Sequence, residues 1–194
     1  MTESTLLHEL ITTAAQRMPQ SIALTSGAAS MSYGELSESV SQFSSGLMSL
    51  GLARGERVAI YLEKRFETVI ASFGAPAAGC AFVPVNPLLK PEQVAFILSD
   101  CNVRVLVTSP ERLALMADVL SECPDLRHVV VTEPVVNSGV MTSTLITWAE
   151  LLNNPFQMGH RVIDTDMVAI LYTSGSTGKP KGVVLSHRNM VAGA

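Results

Sequence analysis

From residue 57 onward the chain alternates between short runs rich in Val, Ile and Leu and stretches whose apolar side chains recur at helical spacing. The runs 57–62, 81–85, 103–109, 128–131 and 167–173 are nearly continuous apolar or β-branched sequence, as strands buried on both faces require. Between them, 66–79 and 91–100 read as helices, the second with Pro91 at its first position. Ser109-Pro110-Glu111 opens a third helix with a cap, an N1 proline and an early acid. A short helix is expected over 145–152, around Trp148, and loops over 133–144 and 153–166. This alternation specifies an α/β fold: a mostly parallel sheet with helices on both faces, in three layers.

The residues before that frame read as an appendage to it. Leu6, Leu7, Leu10, Ile11, Ala14, Ala15 and Met18 recur on one helix face until Pro19 ends the pattern. Two short alternating runs then flank Ser26-Gly27, which predicts a β-hairpin. Ser32 and Glu35 match a capping box, and Leu36, Val40, Phe43, Leu47 and Leu50 form the apolar stripe of the helix it starts, with Gly51 as its stop.

Composition removes several classes of function. The 194 residues carry 13 basic and 17 acidic side chains, a formal charge of 13 − 17 = −4, which argues against nucleic-acid binding through a basic surface. Charged residues are 15% and hydrophobic ones 47%, so the chain has the means to bury a core and is not disordered. The stretch 68–89 is 22 residues without a charge, but Gly74, Pro76, Gly79, Pro84, Asn86 and Pro87 divide it. A buried helix followed by a strand is expected there, not a membrane span. Cys80, Cys101 and Cys123 form no CxxC and no metal-ligand spacing. With an amino terminus that lacks the basic start of a secretion signal, they suit a reducing cytoplasm.

The segment 171–187 carries the chemistry. A buried strand runs into 174–182, which holds three glycines, two serines, one threonine and two lysines. A polyphosphate needs many donors converging from several sides. Glycines let backbone N–H groups close in, hydroxyls add short donors, and lysines add charge. No acid follows Asp166, while Lys179, Lys181 and Arg188 leave a local charge of +3. The spacing is not that of the common NTPase P-loop: only Ser176 and Thr177 separate Gly175 from Gly178-Lys179, and Pro180 replaces the magnesium-binding hydroxyl. A strand, Gly182-Val-Val-Leu-Ser186, follows where that motif would have a helix, so the segment is expected to be a strap between two strands. No Gly-x-Ser-x-Gly elbow occurs in it. Composition alone also allows a solvated hairpin loop that binds nothing.

The order of residues favours a ligand. Tyr172-Thr-Ser-Gly-Ser-Thr-Gly-Lys-Pro-Lys-Gly182 resembles, over eleven consecutive positions, the phosphate-binding signature of the adenylate-forming superfamily of acyl-CoA synthetases, luciferases and peptide-synthetase adenylation domains. Met31-Ser-Tyr-Gly-Glu-Leu36, Ala78-Gly-Cys-Ala-Phe-Val-Pro-Val-Asn-Pro87 and the approach 164–170 are similar to that family's other early motifs. Asn86-Pro87, where amino-acid-activating domains usually have Asp-Pro, is more similar to acyl-CoA ligases. Ala75-Pro76-Ala77 departs from the usual Leu-Lys-Ala, and the proline should kink or shorten its helix.

The resemblance implies an enzyme that joins a carboxylic acid to AMP with release of pyrophosphate and passes the acyl group to the thiol of coenzyme A. It implies that Ser174, Gly175, Ser176, Thr177, Gly178 and Lys179 hold the β- and γ-phosphates of ATP, with Lys179 acting as a catalytic charge. It further implies that the Thr173 hydroxyl joins the phosphate–Mg2+ cluster, and that Lys181 and Gly182 complete the cofactor-binding set. Lys181 and Arg188 otherwise read as solvated, and His187 as a helix-start or packing residue. The family's adenine, acid and ribose sites would lie beyond Ala194, so residues 1–194 are read as part of the N-terminal domain of such a ligase, ending just after the loop 171–182. That part is expected to be inactive alone and to expose apolar surface, with a homo-oligomer as one way to cover it. Two alternatives stay open: a non-catalytic binding module on the same fold, and an amino-acid adenylation domain.

Overall fold

The computed structural model describes residues 4–135, 143–173 and 180–193. The chain opens with α1 (Glu9–Arg17), an antiparallel hairpin of β1 (Ile22–Ser26) and β2 (Ala29–Ser32), and α2 (Tyr33–Ser49). Then follow β3 (Arg57–Tyr61), α3 (Phe66–Ala77), β4 (Ala81–Pro84), α4 (Pro91–Asp100), β5 (Val103–Thr108) and α5 (Pro110–Met116). A single 3-10 turn (Leu120–Glu122) leads to β6 (His128–Val131), β7 (Thr144–Thr147), α6 (Trp148–Leu152), β8 (Met167–Thr173), β9 (Lys181–Ser186) and α7 (His187–Ala192).

Among the described residues seven strands form one sheet in the order β7-β6-β5-β3-β4-β8-β9, parallel except for the antiparallel β8–β9 pair. The side-chain period of two divides each central strand between two cores. Val58 and Ile60 of β3, with Val105 and Val107 of β5, face α2, α3 and α6 through Phe43, Leu47, Ala71 and Trp148. Ala59, Tyr61 and Leu106 face α4 and α5 through Leu98, Leu113 and Met116. The three-layer α/β/α architecture is therefore present, and it places the carboxyl ends of β3, β4, β5, β6, β7 and β8 along one rim. In open sheets of this kind ligands bind outside that rim.

Local signals act where the sequence places them. Ser32 accepts from the Glu35 amide while the Glu35 carboxylate accepts from the Ser32 amide, which completes the capping box of α2. Ser109 caps α5. All three cysteines are buried, and desolvation pushes the Cys80 thiol up to about 12, so it behaves as a small hydrophobe. Among the described residues no helix is long and apolar enough to cross a membrane. The apolar stretch 68–89 is most of α3, then β4 and a turn.

Three boundaries differ from expectation. The helix expected over 145–152 is instead the strand β7 followed by α6. Thr144, Ile146 and Thr147 are β-branched and add to the edge of β6 in register His128↔Thr144 to Val131↔Thr147. The helix starts only at Trp148, once Thr147 and Glu150 have formed a capping box. This strand also trims the loop expected over 133–144, of which 136–142 lie outside the described residues. Finally, α3 ends at Ala77 rather than Gly79: Pro76 stands one residue before its end, and Cys80 N–H returns to the Ala75 carbonyl at 2.9 Å.

Candidate functional site

The segment singled out by sequence is the tip of the β8–β9 hairpin. Its register runs from Met167↔Ser186 at the base to Thr173↔Lys181 at the tip, so residues 174–180 connect two directly opposed residues. Because β8 runs parallel to β4, Thr173 lies at the carboxyl rim of the sheet. Thr173 and Lys181 are both exposed there. Ser174, Gly175, Ser176, Thr177, Gly178 and Lys179 lie outside the described residues. What the structure provides is the anchor of the strap on either side of them, a strand-to-strand connection as the Gly182-Val-Val-Leu-Ser186 run implies.

One cross-strand pair makes that anchor. Tyr172 and Gly182 are partners, each one residue inside the tip. A Cβ on Gly182 would stand 2.9 Å from Ile170 Cγ2 and 3.2 Å from Tyr172 Cζ, so the Tyr172 ring occupies the space a side chain would need. Glycine at 182 therefore has a packing reason independent of any phosphate. The Tyr172 hydroxyl donates to Asp100 Oδ2 at 2.6 Å, a short charge-assisted bond to the last residue of α4. Burial and then the Asp100 carboxylate push the phenol well above its ordinary value, so it stays a donor. Sequence reasoning did not single out Asp100. It lies 72 residues from Tyr172, and no local pattern connects them.

The base of the hairpin sorts the remaining candidates. Arg188 pairs with Asp164 at 2.6 Å, in the first turn of α7. The expected local charge of +3 is thus divided: Arg188 is compensated and lies at the end opposite the tip. His187 is 1% exposed, and its Nδ1 accepts from the Leu7 amide at 3.0 Å. Burial, then the neighbouring His8, lowers its pKa to about 4. A neutral ring with that partner is a packing residue that ties the amino-terminal segment to α7. Among the described residues no group of His, Cys, Asp and Glu forms a metal site.

Asn86, the residue separating the two ligase types by resemblance, has its own local task. Its Oδ1 accepts from the Leu88 amide at 2.9 Å, an Asx turn that leads toward α4. An aspartate would make the same turn. The turn itself therefore does not distinguish the two residues.

Comparison with known proteins agrees with this architecture. The family model described as AMP-binding enzyme matches residues 11–194. Tyrocidine synthase 3 of Brevibacillus parabrevis is 32% identical over 185 residues, which is 95% of this chain and 3% of that protein. The peroxisomal long chain acyl-CoA synthetase 6 of Arabidopsis thaliana is 33% identical over 170 residues, 84% of this chain and 24% of that protein. Among solved structures, the anthranilate CoA ligase AuaEII in complex with anthranoyl-AMP superposes with a TM-score of 0.87 at 26% identity, over 97% of this chain and 36% of that one. The chain thus spans well under half the length of these relatives. With the family match covering residues 11–194 and the same sheet recurring in a related ligase, this chain belongs to the AMP-binding enzyme family of adenylate-forming ligases.

Proposed function

We propose that this chain supplies the triphosphate grip of an enzyme that activates a carboxylic acid with ATP, forming an acyl adenylate and releasing pyrophosphate, with coenzyme A as the thiol that then takes the acyl group. The observation that supports it best is the position of the strap. A segment of glycines, hydroxyls and a lysine is hung between two opposed residues, Thr173 and Lys181, at the carboxyl rim of a parallel sheet. Carboxylate oxygen attacks the α-phosphorus, and the bond to the bridging oxygen of pyrophosphate breaks. Negative charge grows on the leaving group, and donors fixed beforehand around the β- and γ-phosphates stabilise that charge more than the ground state. Ser174 to Lys179 would supply those donors, and Lys181 would add charge from the first residue of β9.

Magnesium would neutralise phosphate oxygens in this scheme. A hydroxyl such as that of Thr173, exposed at the rim, fits a hard cation that keeps most of its coordination for phosphate and water. No carboxylate cluster is needed for such a site. A second reading, amino-acid activation, is favoured by the peptide synthetases similar over 95% of the chain.

Carboxylate-dependent exchange of pyrophosphate into ATP, measured on the full-length protein, tests the proposal. Thr173→Ala should slow exchange about 100-fold, the scale of losing one preorganised donor, and Gly178→Ala should slow it because a Cβ holds the phosphates off the backbone amides, both with little change in thermal midpoint. Exchange at the parental rate in both variants would contradict it. Comparing amino acids with simple carboxylic acids in the same assay separates the two readings.

A further inference from the structure

We propose that Tyr172, clamped by Asp100, is a positioning residue that sets the spacing and direction of the two ends of the phosphate strap. The inference rests on the triphosphate reading above and adds a role for two side chains that touch no phosphate in it.

Three features of the described residues lead to it. First, Tyr172 and Gly182 are the last cross-strand pair before Thr173↔Lys181, so whatever fixes them fixes both strap ends together. The ring lies against the glycine, and its hydroxyl is held at 2.6 Å by Asp100. Second, Asp100 is the final residue of the ten-residue helix α4, where the helix dipole disfavours a negative charge. The phenol hydroxyl gives that exposed carboxylate a hydrogen-bond donor. Third, Tyr172 and Asp100 line a hollow of about 350 Å3 together with Arg57, Asn102 and Val184, so this side of the hairpin is not filled with packed side chains. The tip of β8 is therefore located on that side by a directional bond to a rigid helix. A strap attached to an unclamped tip would present its donors over a wider range of positions, which weakens the grip on a long anion and hardly affects a small one.

Titration of the full-length protein with magnesium tripolyphosphate tests this, with inorganic monophosphate as the comparison anion. Tyr172→Phe keeps the ring over Gly182 and removes only the hydroxyl. It should weaken tripolyphosphate binding about 10-fold through loss of preorganisation, while monophosphate binding stays near its parental value and the protein remains fully folded at the titration temperature. Asp100→Ala should do the same, and the double variant should be no worse than either single one, because both remove one interaction. Asp100→Asn, whose amide oxygen still accepts the phenol proton, should recover most of the affinity. Parental tripolyphosphate affinity in Tyr172→Phe, or a loss that merely follows a fall in thermal midpoint, overturns the inference and leaves the function reading intact. If the parental full-length protein does not bind magnesium tripolyphosphate, the function reading fails and this inference fails with it.

Discussion

At the scale of single residues the structure separates side chains that hold the hairpin from those left free for a ligand. His187 belongs to the first group. Its Nδ1 is occupied by the Leu7 amide, and His8 and Glu9 of the amino-terminal segment and Asp164 and Asp166 before β8 are the titratable groups that act on it. The ring ionises near 4 in the folded chain and near 6.5 when unfolded, so above 6.5 it is neutral in both states and its ionisation does not alter stability. As pH falls below 6.5 the unfolded chain takes up a proton that the folded chain refuses, and stability is lost down to about 4, by about 1 kcal/mol per pH unit. His187→Asn keeps an acceptor for Leu7 and cannot titrate. Urea midpoints between pH 6.5 and 4.5 should therefore fall less steeply in the variant than in the parent; equal slopes would exclude this origin. The sequence reading of this ring as a helix-start or packing residue holds, but its partner, 180 residues away, was not legible. By contrast the Ser32–Glu35 capping box was legible because both halves lie within one turn.

At the scale of elements, what could be read was whatever has a period. The strands β3, β5, β6 and β8 stood out as apolar runs, and α2 as a stripe. The four-residue edge strand β7 did not, because its length is too short to show alternation and Trp148 draws the eye to a helix. Its existence depends on the free edge of β6, which is a tertiary fact. Packing between elements is equally hidden. A Cβ at Gly46 of α2 would stand 2.4 Å from the Leu151 carbonyl oxygen of α6, so only glycine lets the two helices meet. Gly46→Ala normally helps a helix, yet here it should destabilise the fold by about 1–3 kcal/mol through overpacking, measured by denaturant unfolding. A variant at least as stable as the parent would mean that α6 is free to shift.

At the scale of the whole molecule the sheet explains why a sequence motif becomes a site. The strap residues were legible as a string, but their common position with the carboxyl ends of six parallel strands comes from the strand order, which no local pattern fixes. The same order places β8 beside β4 and lets the helix that follows β4 supply Asp100 to Tyr172. Membership of the AMP-binding enzyme family and the α/β/α sheet give the hairpin its setting. The most direct test is a crystal structure of the full-length protein with magnesium ATP. The account predicts β- and γ-phosphate oxygens about 3 Å from backbone amides within 174–179 and from the Thr173 hydroxyl. A nucleotide bound with its phosphates away from the β8–β9 tip would contradict it.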